Sequence, residues 1–140
     1  MKISEVMTPN PKCVGLADSL QAAACIMRDE DTGVVPVVED GRIRGVVTDR
    51  DIVIRCVADG DFQAKISDVM SDDVITCSPE MSTGDAAELM SEHQIRRIPI
   101  VDSDDKLVGI VSIGDLAVKE GRDSRTGDTL EKVSEGVKRH

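Results

Sequence analysis

Two short sequences carry residue types that can do chemistry, and in both a hydroxyl residue stands three positions before a carboxylate. They are residues 45–51 (GVVTDRD) and residues 109–115 (GIVSIGD). In each, the hydroxyl residue ends an apolar run typical of a buried strand, which places the carboxylate in the first turn of a following helix. Thr48 and Asp51, and likewise Ser112 and Asp115, are therefore expected side by side at a helix start.

Two roles are open for these pairs. A carboxylate in that position can accept two hydrogen bonds from a vicinal diol, such as that of ribose, and a helix N-terminus suits an anionic ligand. The alternative is a capping box, in which Thr48 accepts a hydrogen bond from the Asp51 amide and Asp51 accepts one from the Thr48 amide. Because aspartate is shorter than the usual glutamate, we expect that second bond to fit poorly. A cap does not need the glycine that opens both sequences, and this favours ligand binding.

The chain repeats itself. Residues 2–8 (KISEVMT) reappear 63 positions later as residues 65–71 (KISDVMS), and further matches follow in order to the end of each half. We therefore predict two copies of one unit, residues 1–60 and residues 61–120. Residues 121–140 break the pattern and are interpreted as a linker and tail with a possible short helix, since Leu130, Val133 and Val137 have helical spacing.

Each copy is predicted to run strand, helix, strand, strand, helix. Asp18-Ser19 and Ser82-Thr83 are helix-capping residues ahead of apolar positions at helical spacing. The two later strands are predicted at 34–38 and 43–48 in the first copy, and at 98–101 and 107–112 in the second. The closing helices are predicted at 49–58 and 113–120.

The fold class is therefore α/β (α+β), with two pseudo-symmetric β-α-β-β-α repeats. The 18 valines and 12 isoleucines against 6 leucines favour buried strands over a helical bundle. A unit below ~70 residues rarely stands alone, so we expect the repeats to pack sheet to sheet.

Composition excludes several classes of function. With 27 acidic and 17 basic residues, the formal net charge is −10, which argues against a nucleic-acid partner. Phe62 is the one aromatic residue, so base stacking is excluded too. No apolar run approaches the roughly 20 residues of a membrane span, and the N-terminus lacks the apolar stretch of a signal peptide. We therefore expect a cytoplasmic protein with no membrane partner.

The sequence also argues against catalysis. The four cysteines, Cys13, Cys25, Cys56 and Cys77, have no CxxC or zinc spacing and are expected to be free, partly buried thiols. Two histidines are too few for a His-rich metal site, and His93, at the end of a helix, is interpreted as a capping residue. No Ser/His/Asp set and no phosphate-binding GKS/T loop is present. We predict no enzyme, no metal and no cofactor.

The repeated Val-Met-Thr/Ser opening, the hydrophobic-Pro-hydrophobic-Val strand and the Gly-x-x-Thr/Ser-x-x-Asp turn resemble a tandem pair of cystathionine-β-synthase-type (CBS) domains, or Bateman module. The resemblance covers residues 1 to about 120. Residues 48–55 also resemble small stand-alone CBS-pair proteins of bacteria and archaea. The resemblance implies a regulatory protein that binds an adenine nucleotide or adenosyl compound (AMP, ADP or ATP class) between its repeats.

The resemblance also implies which residues line two clefts. Cleft one would combine the first turn with the segment before the Pro-bearing strand of the second repeat: Thr48 and Asp51 with Ile95, Arg96, Arg97 and Pro99. Cleft two would combine the second turn with the corresponding segment of the first repeat: Ser112 and Asp115 with Thr32, Gly33, Val34 and Pro36. Residues at the starts of the first helices would lie near the base: Asp18, Ala23, Met81 and Ala86.

The two predicted clefts differ in charge. Arg96 and Arg97, with Arg50 nearby, would hold phosphate in cleft one, because guanidinium groups match phosphate oxygens; cleft two has no comparable cation. Salt bridges to surface carboxylates are the alternative role for Arg96 and Arg97. The alternative function is a ligand-free dimeric interaction scaffold. A homodimer is expected in either case, with contacts from the starts of the second helices: Ile52, Val53, Ile113 and Leu116.

Overall fold

The computed structural model describes residues 1–120, with side chains to residue 117; the predicted tail, residues 121–140, lies outside the described residues. The first half contains β1 (Thr8–Pro9), β2 (Val14–Gly15), α1 (Leu20–Asp29), β3 (Val34–Glu39), β4 (Arg42–Thr48) and α2 (Asp49–Ile52). The second half contains α3 (Ile66–Val69), α4 (Thr83–His93), β5 (Arg97–Val101), β6 (Leu107–Ser112) and α5 (Ile113–Glu120). Two three-stranded sheets and several helices confirm the mixed α/β class.

The chain forms two compact units. The first unit comprises Lys12–Val74 with Asp105–Leu107. Its sheet has the order β2-β3-β4, with β2 parallel to β3 and β3 antiparallel to β4. Its core includes side chains from the sheet, from α1 and from α3, among them Val35, Val47, Ala23 and Ile66.

The second unit comprises Met1–Pro11, Ile75–Asp104 and the chain from Val108 onward. Its sheet has the order β1-β6-β5, with β1 antiparallel to β6. The strand that would open this copy is reduced to a single bridge between Cys77 and Ile100. Cys77 lies in the core of this unit, where burial, and secondarily the charge of Asp85, raises the pKa of its thiol to about 11.

The two opening segments are exchanged between the units. Residues 2–8 open the predicted first copy, yet Ile3 and Val6 lie in the core of the second unit. Residues 65–71 open the predicted second copy, yet Ile66 and Val69 lie in the core of the first unit. The compact units therefore divide the chain differently from the predicted repeats, 1–60 and 61–120.

Gly45 and Gly109 open the two hydroxyl–carboxylate sequences. Both have a structural reason that the sequence analysis missed. In the first unit, the Val46 amide donates to the Ser71 carbonyl (2.9 Å) and the Ser71 amide donates to the Val46 carbonyl (2.8 Å). A Cβ atom on Gly45 would overlap the Ser71 carbonyl oxygen, and one on Gly109 would overlap the Met7 sulfur. The close approach of the exchanged segments therefore accounts for these glycines, so the glycines no longer favour ligand binding over a cap.

The helix ends largely agree with those predicted from the sequence. Ser19 and Ser82 cap α1 and α4 through their side chains, whereas Asp18 accepts a hydrogen bond from the Gly15 amide instead. The cap at the end of α4 is Gln94, in a left-handed conformation, next to the predicted His93. The helix predicted at 49–58 is not regular, because after Ile52 it continues as a π-helical turn at Val53–Val57.

Substituting the strand glycines tests the exchange of the opening segments. Gly45→Ala should lower the free energy of unfolding by about 1–3 kcal/mol, because the new methyl group meets a backbone oxygen that cannot move alone. Gly109→Ala should cost less, because its Cβ would overlap only the flexible Met7 side chain and would lie 3.1 Å from the Thr8 carbonyl oxygen. The measurement is urea unfolding followed by circular dichroism.

Gly114→Ala is the matched control for the strand glycines. Its Cβ would lie 3.6 Å from the Ser112 hydroxyl oxygen, an ordinary contact, and alanine in a helix stabilises by about 0.5–1 kcal/mol over glycine. Equal losses for Gly45→Ala and Gly114→Ala would contradict the close approach of Ser71 to β4.

Candidate functional site

The first hydroxyl–carboxylate turn joins β4 to α2. The Asp51 amide donates to Thr48 Oγ1 (3.0 Å), and the Thr48 amide donates to Asp51 Oδ2 (3.0 Å). The capping box is therefore present, and the expectation that aspartate would fit it poorly is wrong, since both bonds have ordinary lengths. Asp51 Oδ1 accepts no hydrogen bond from the described residues, and both side chains are partly exposed. One carboxylate oxygen thus holds the turn and the other is available.

The second turn, between β6 and α5, repeats this geometry. The Asp115 amide donates to Ser112 Oγ (3.0 Å), and the Ser112 amide donates to Asp115 Oδ2 (2.9 Å). Within the described residues, Asp115 Oδ1 accepts no hydrogen bond either, and both side chains are again partly exposed. The structural role and a binding role are therefore compatible, because the cap uses only one oxygen of each carboxylate.

Each turn is bonded to the segment before the Pro-bearing strand of its own repeat. In the first unit, the Asp49 amide donates to the Gly33 carbonyl (2.9 Å); in the second unit, the Ile113 amide donates to the Arg96 carbonyl (2.8 Å). The predicted clefts instead combine each turn with the segment of the other repeat. That combination stays a prediction, whereas the neighbours described within each unit are Gly33 for the first turn and Arg96 for the second.

The remaining predicted site residues have different exposures. Val34 pairs with Thr48 across β3 and β4, and Thr32 bonds the backbone of Val34 through its hydroxyl. Met81 is partly exposed, and its sulfur accepts a hydrogen bond from the Ser78 amide. Asp18 and Arg50 are exposed, Ile95 is partly exposed, and four residues are buried: Ala23, Ala86, Pro36 and Pro99.

Within the described residues, Arg96 and Arg97 form none of the surface salt bridges considered in the sequence analysis. Arg96 is exposed and Arg97 partly exposed. Neither forms an ion pair with any residue of the described chain; the carboxylates that do form ion pairs include Glu80, Asp29 and Glu39, with other partners. No carboxylate of the described residues therefore competes with an anion for these two guanidinium groups.

Asp49 is a residue of interest that the sequence analysis missed. A Cβ atom built on Gly33 would lie 3.1 Å from Asp49 Oδ2, so this carboxylate covers the glycine. The available signal was a difference between the copies, because the equivalent of Asp49 in the second turn is the apolar Ile113.

Two of the predicted dimer contacts are wrong. Ile113 and Leu116 lie in the core of the second unit and are 4% and 0% exposed, so their side chains face their own unit. Helical spacing alone does not distinguish a core face from an interface. Val53 is 57% exposed and remains available for contact.

The described part of the chain offers no other obvious chemistry. No group of three or more His, Cys, Asp or Glu side chains within it is arranged to hold a metal ion. None of its helices combines the length and apolar character needed to cross a membrane. All four cysteines are free, with Cys56 and Cys77 buried.

Both copies of the α/β unit have a hydroxyl–carboxylate turn after their last strand. Residues 3–57 and 66–119 match the family model of the CBS domain. The chain therefore belongs to the CBS-domain family and contains two copies of the domain.

Known proteins resemble this chain over most of its length. The CBS domain-containing protein YhcV of Bacillus subtilis is 43% identical over 133 residues, which cover 94% of each chain. The crystal structure of CBSX2 in complex with AMP is 26% identical with a TM-score of 0.74, over 86% of this chain and 98% of that one. The CBS domain pair of MJ0100, in complex with 5′-methylthioadenosine and S-adenosyl-L-methionine, is 25% identical with a TM-score of 0.73, over 86% and 96% of the two chains.

Removing the capping hydroxyls tests their structural role. Thr48→Ala and Ser112→Ala should each lower the free energy of unfolding by about 1 kcal/mol, because the first helical turn loses a hydrogen-bond acceptor. Ser67→Ala is the control, since Ser67 is an exposed helical serine that does not cap its helix. Thermal and urea unfolding measure the difference, and a cost for Ser67→Ala as large as for Thr48→Ala would contradict the capping role.

Proposed function

We propose that this protein is a regulatory, non-catalytic module that binds an adenine nucleotide or adenosyl compound at its hydroxyl–carboxylate turns. The observation that carries the proposal is one oxygen on each capping carboxylate, Asp51 Oδ1 and Asp115 Oδ1, which accepts no hydrogen bond within the described residues. Membership of the CBS-domain family supports it, as do the adenosyl ligands named for CBSX2 and MJ0100.

The proposed contacts follow from the donors and acceptors at each turn. The free carboxylate oxygen accepts hydrogen bonds from the 2′- and 3′-hydroxyls of ribose. The Thr48 and Ser112 hydroxyls each accept a bond from a backbone amide and keep their own hydrogen as a donor to sugar or phosphate. Charge-assisted hydrogen bonds of this kind are stronger than neutral ones, so the carboxylates contribute most to binding.

Phosphate recognition is assigned to the arginines. Arg96 and Arg97 form no ion pair within the described residues, and guanidinium groups match phosphate oxygens. The pairing of these arginines with Thr48 and Asp51 that the resemblance implied stays a prediction.

We also propose that the protein acts as a homodimer in the cytoplasm and passes the signal to a partner. A ligand shifts an equilibrium between two arrangements only through different affinities for them. The exposed apolar side chains Val53, Ile54 and Val57 on the π-helical turn support an interface there. The same side chains favour a second candidate function, a dimeric scaffold without a ligand. The titration below distinguishes the scaffold from the ligand-binding module.

Calorimetric titration with AMP, ADP and ATP tests the proposed function. Wild type should bind AMP, and the double variant Asp51→Asn/Asp115→Asn should weaken binding about tenfold or more, because each lost charge-assisted bond contributes roughly 1.5–3 kcal/mol. Asparagine can still accept the capping bond, so the melting temperature should change little.

Asp68→Asn is the matched control for the titration. Asp68 accepts the same kind of bond from the Lys65 amide (3.0 Å), but no strand ends at its turn. It should leave the AMP affinity unchanged. Equal heats of binding for wild type and the double variant would contradict the proposed site. If wild type binds no adenosyl compound, the ligand-free dimeric scaffold is the candidate function that remains.

A further inference from the structure

Arg55 lies in the π-helical turn and bonds the end of α3. Its Nη1 atom donates to the carbonyl oxygens of Val69 (3.2 Å) and Met70 (3.3 Å). The last carbonyls of a helix have no partner within that helix, and a basic side chain nearby can hydrogen-bond them. One guanidinium group therefore attaches the exchanged segment to the helix that begins at the first hydroxyl–carboxylate turn.

The same exchanged segment also bonds the strand before that turn. Ser71 is bonded in both directions to Val46 of β4 (2.9 and 2.8 Å), two residues before Thr48. Arg55 lies four residues after Asp51. The first turn is therefore placed between two attachments to one segment, one on its strand and one on its helix.

Arg55 does not bond the acidic neighbour that its spacing predicts. Opposite charges four positions apart on a helix commonly pair, most favourably with the acidic residue nearer the N-terminus. Asp51 and Arg55 have this spacing and order, and the helix continues through both of them, from α2 into the π-helical turn. Within the described residues, no ion pair joins them, and Asp51 Oδ1 accepts no hydrogen bond.

Burial does not keep the two side chains apart, since Asp51 is partly exposed and Arg55 is exposed. The bonds from Arg55 to the carbonyls of Val69 and Met70 therefore account for the missing ion pair. A guanidinium group that turned to Asp51 would occupy Oδ1, the oxygen proposed to accept the ribose hydroxyls. Pairing with Asp51 and bonding the exchanged segment are thus competing uses of Arg55.

We propose that Arg55 is a positioning residue for the first turn. Its bonds to the exchanged segment hold its guanidinium group away from Asp51, so that Asp51 Oδ1 stays open to a ligand. This inference rests on the proposed function, since it concerns access to one of the two proposed ribose acceptors. Arg55 itself is assigned no contact with the ligand, so its effect on binding acts through Asp51.

Two substitutions of Arg55 remove its bonds to α3 but differ in charge. Both are made in the Asp115→Asn variant, where the first turn is the remaining proposed site, and AMP is titrated by calorimetry at low ionic strength. Lysine is one atom shorter than arginine but keeps the charge, so Arg55→Lys should pair with Asp51 and weaken AMP binding about two- to threefold. Arg55→Gln has no charge to pair with Asp51 and should bind AMP more tightly than Arg55→Lys.

The order of the two affinities separates this role from simpler ones. If Arg55 only stabilised the fold, both variants would lower the melting temperature and the AMP affinity equally. If Arg55 only attracted the phosphate group, Arg55→Gln would be the weaker binder. The positioning role predicts similar melting temperatures with Arg55→Lys as the weaker binder. The difference in affinity should shrink at high salt, because an exposed ion pair is screened.

Arg28→Lys is the matched control, because Arg28 is also an exposed helical arginine but bonds Asp29 (2.9 Å). It should leave the AMP affinity unchanged. An affinity of Arg55→Gln equal to or below that of Arg55→Lys would overturn the role of Arg55, although the proposed sites would stand. If wild type binds AMP and Asp115→Asn does not, the first turn is not a site and this inference fails, whereas the proposed function stands at the second turn. If wild type binds no adenosyl compound, the proposed function itself fails.

Discussion

A pair of reciprocal hydrogen bonds holds one aspartate at the end of a buried strand, and the same pair recurs in the second unit. Asp51 and Asp115 each give one carboxylate oxygen to the backbone of the turn. That bond fixes the carboxylate against the strand end, so its second oxygen has a defined direction. Preorganisation of this kind reduces the entropy that a ligand must overcome on binding. The proposed function depends on these two oxygens.

The strands that carry the turns are themselves held by the exchanged opening segments. In the first unit, β4 ends at Thr48, and its residue Val46 is bonded to Ser71 in both directions. In the second unit, β1 pairs with β6 along Thr8 and Pro9. Each exchanged segment therefore covers the strand that ends in a turn, and the glycine in that strand permits the close approach. Fold and candidate site are linked through a single strand in each unit.

Much of this architecture was predictable from the sequence because its signals are local. The repeat, the strand positions and the capping serines Ser19 and Ser82 follow from apolar spacing and cap chemistry. The exchange of the opening segments was not predictable, since both segments carry buried isoleucine and valine at the same positions and so fit either unit. The contact between Asp49 and Gly33 joins distant residues that no local rule connects. Burial of Ile113 and Leu116 likewise depends on tertiary packing.

A crystal structure of the protein, from crystals grown in the presence of AMP, most directly tests the claim that the capping carboxylates bind ribose. The ribose hydroxyls are expected within hydrogen-bond distance of Asp51 Oδ1 or Asp115 Oδ1, with the capping bond between that carboxylate and Thr48 or Ser112 intact. A nucleotide bound away from both carboxylates, or a carboxylate that must leave its cap to reach the sugar, would contradict it.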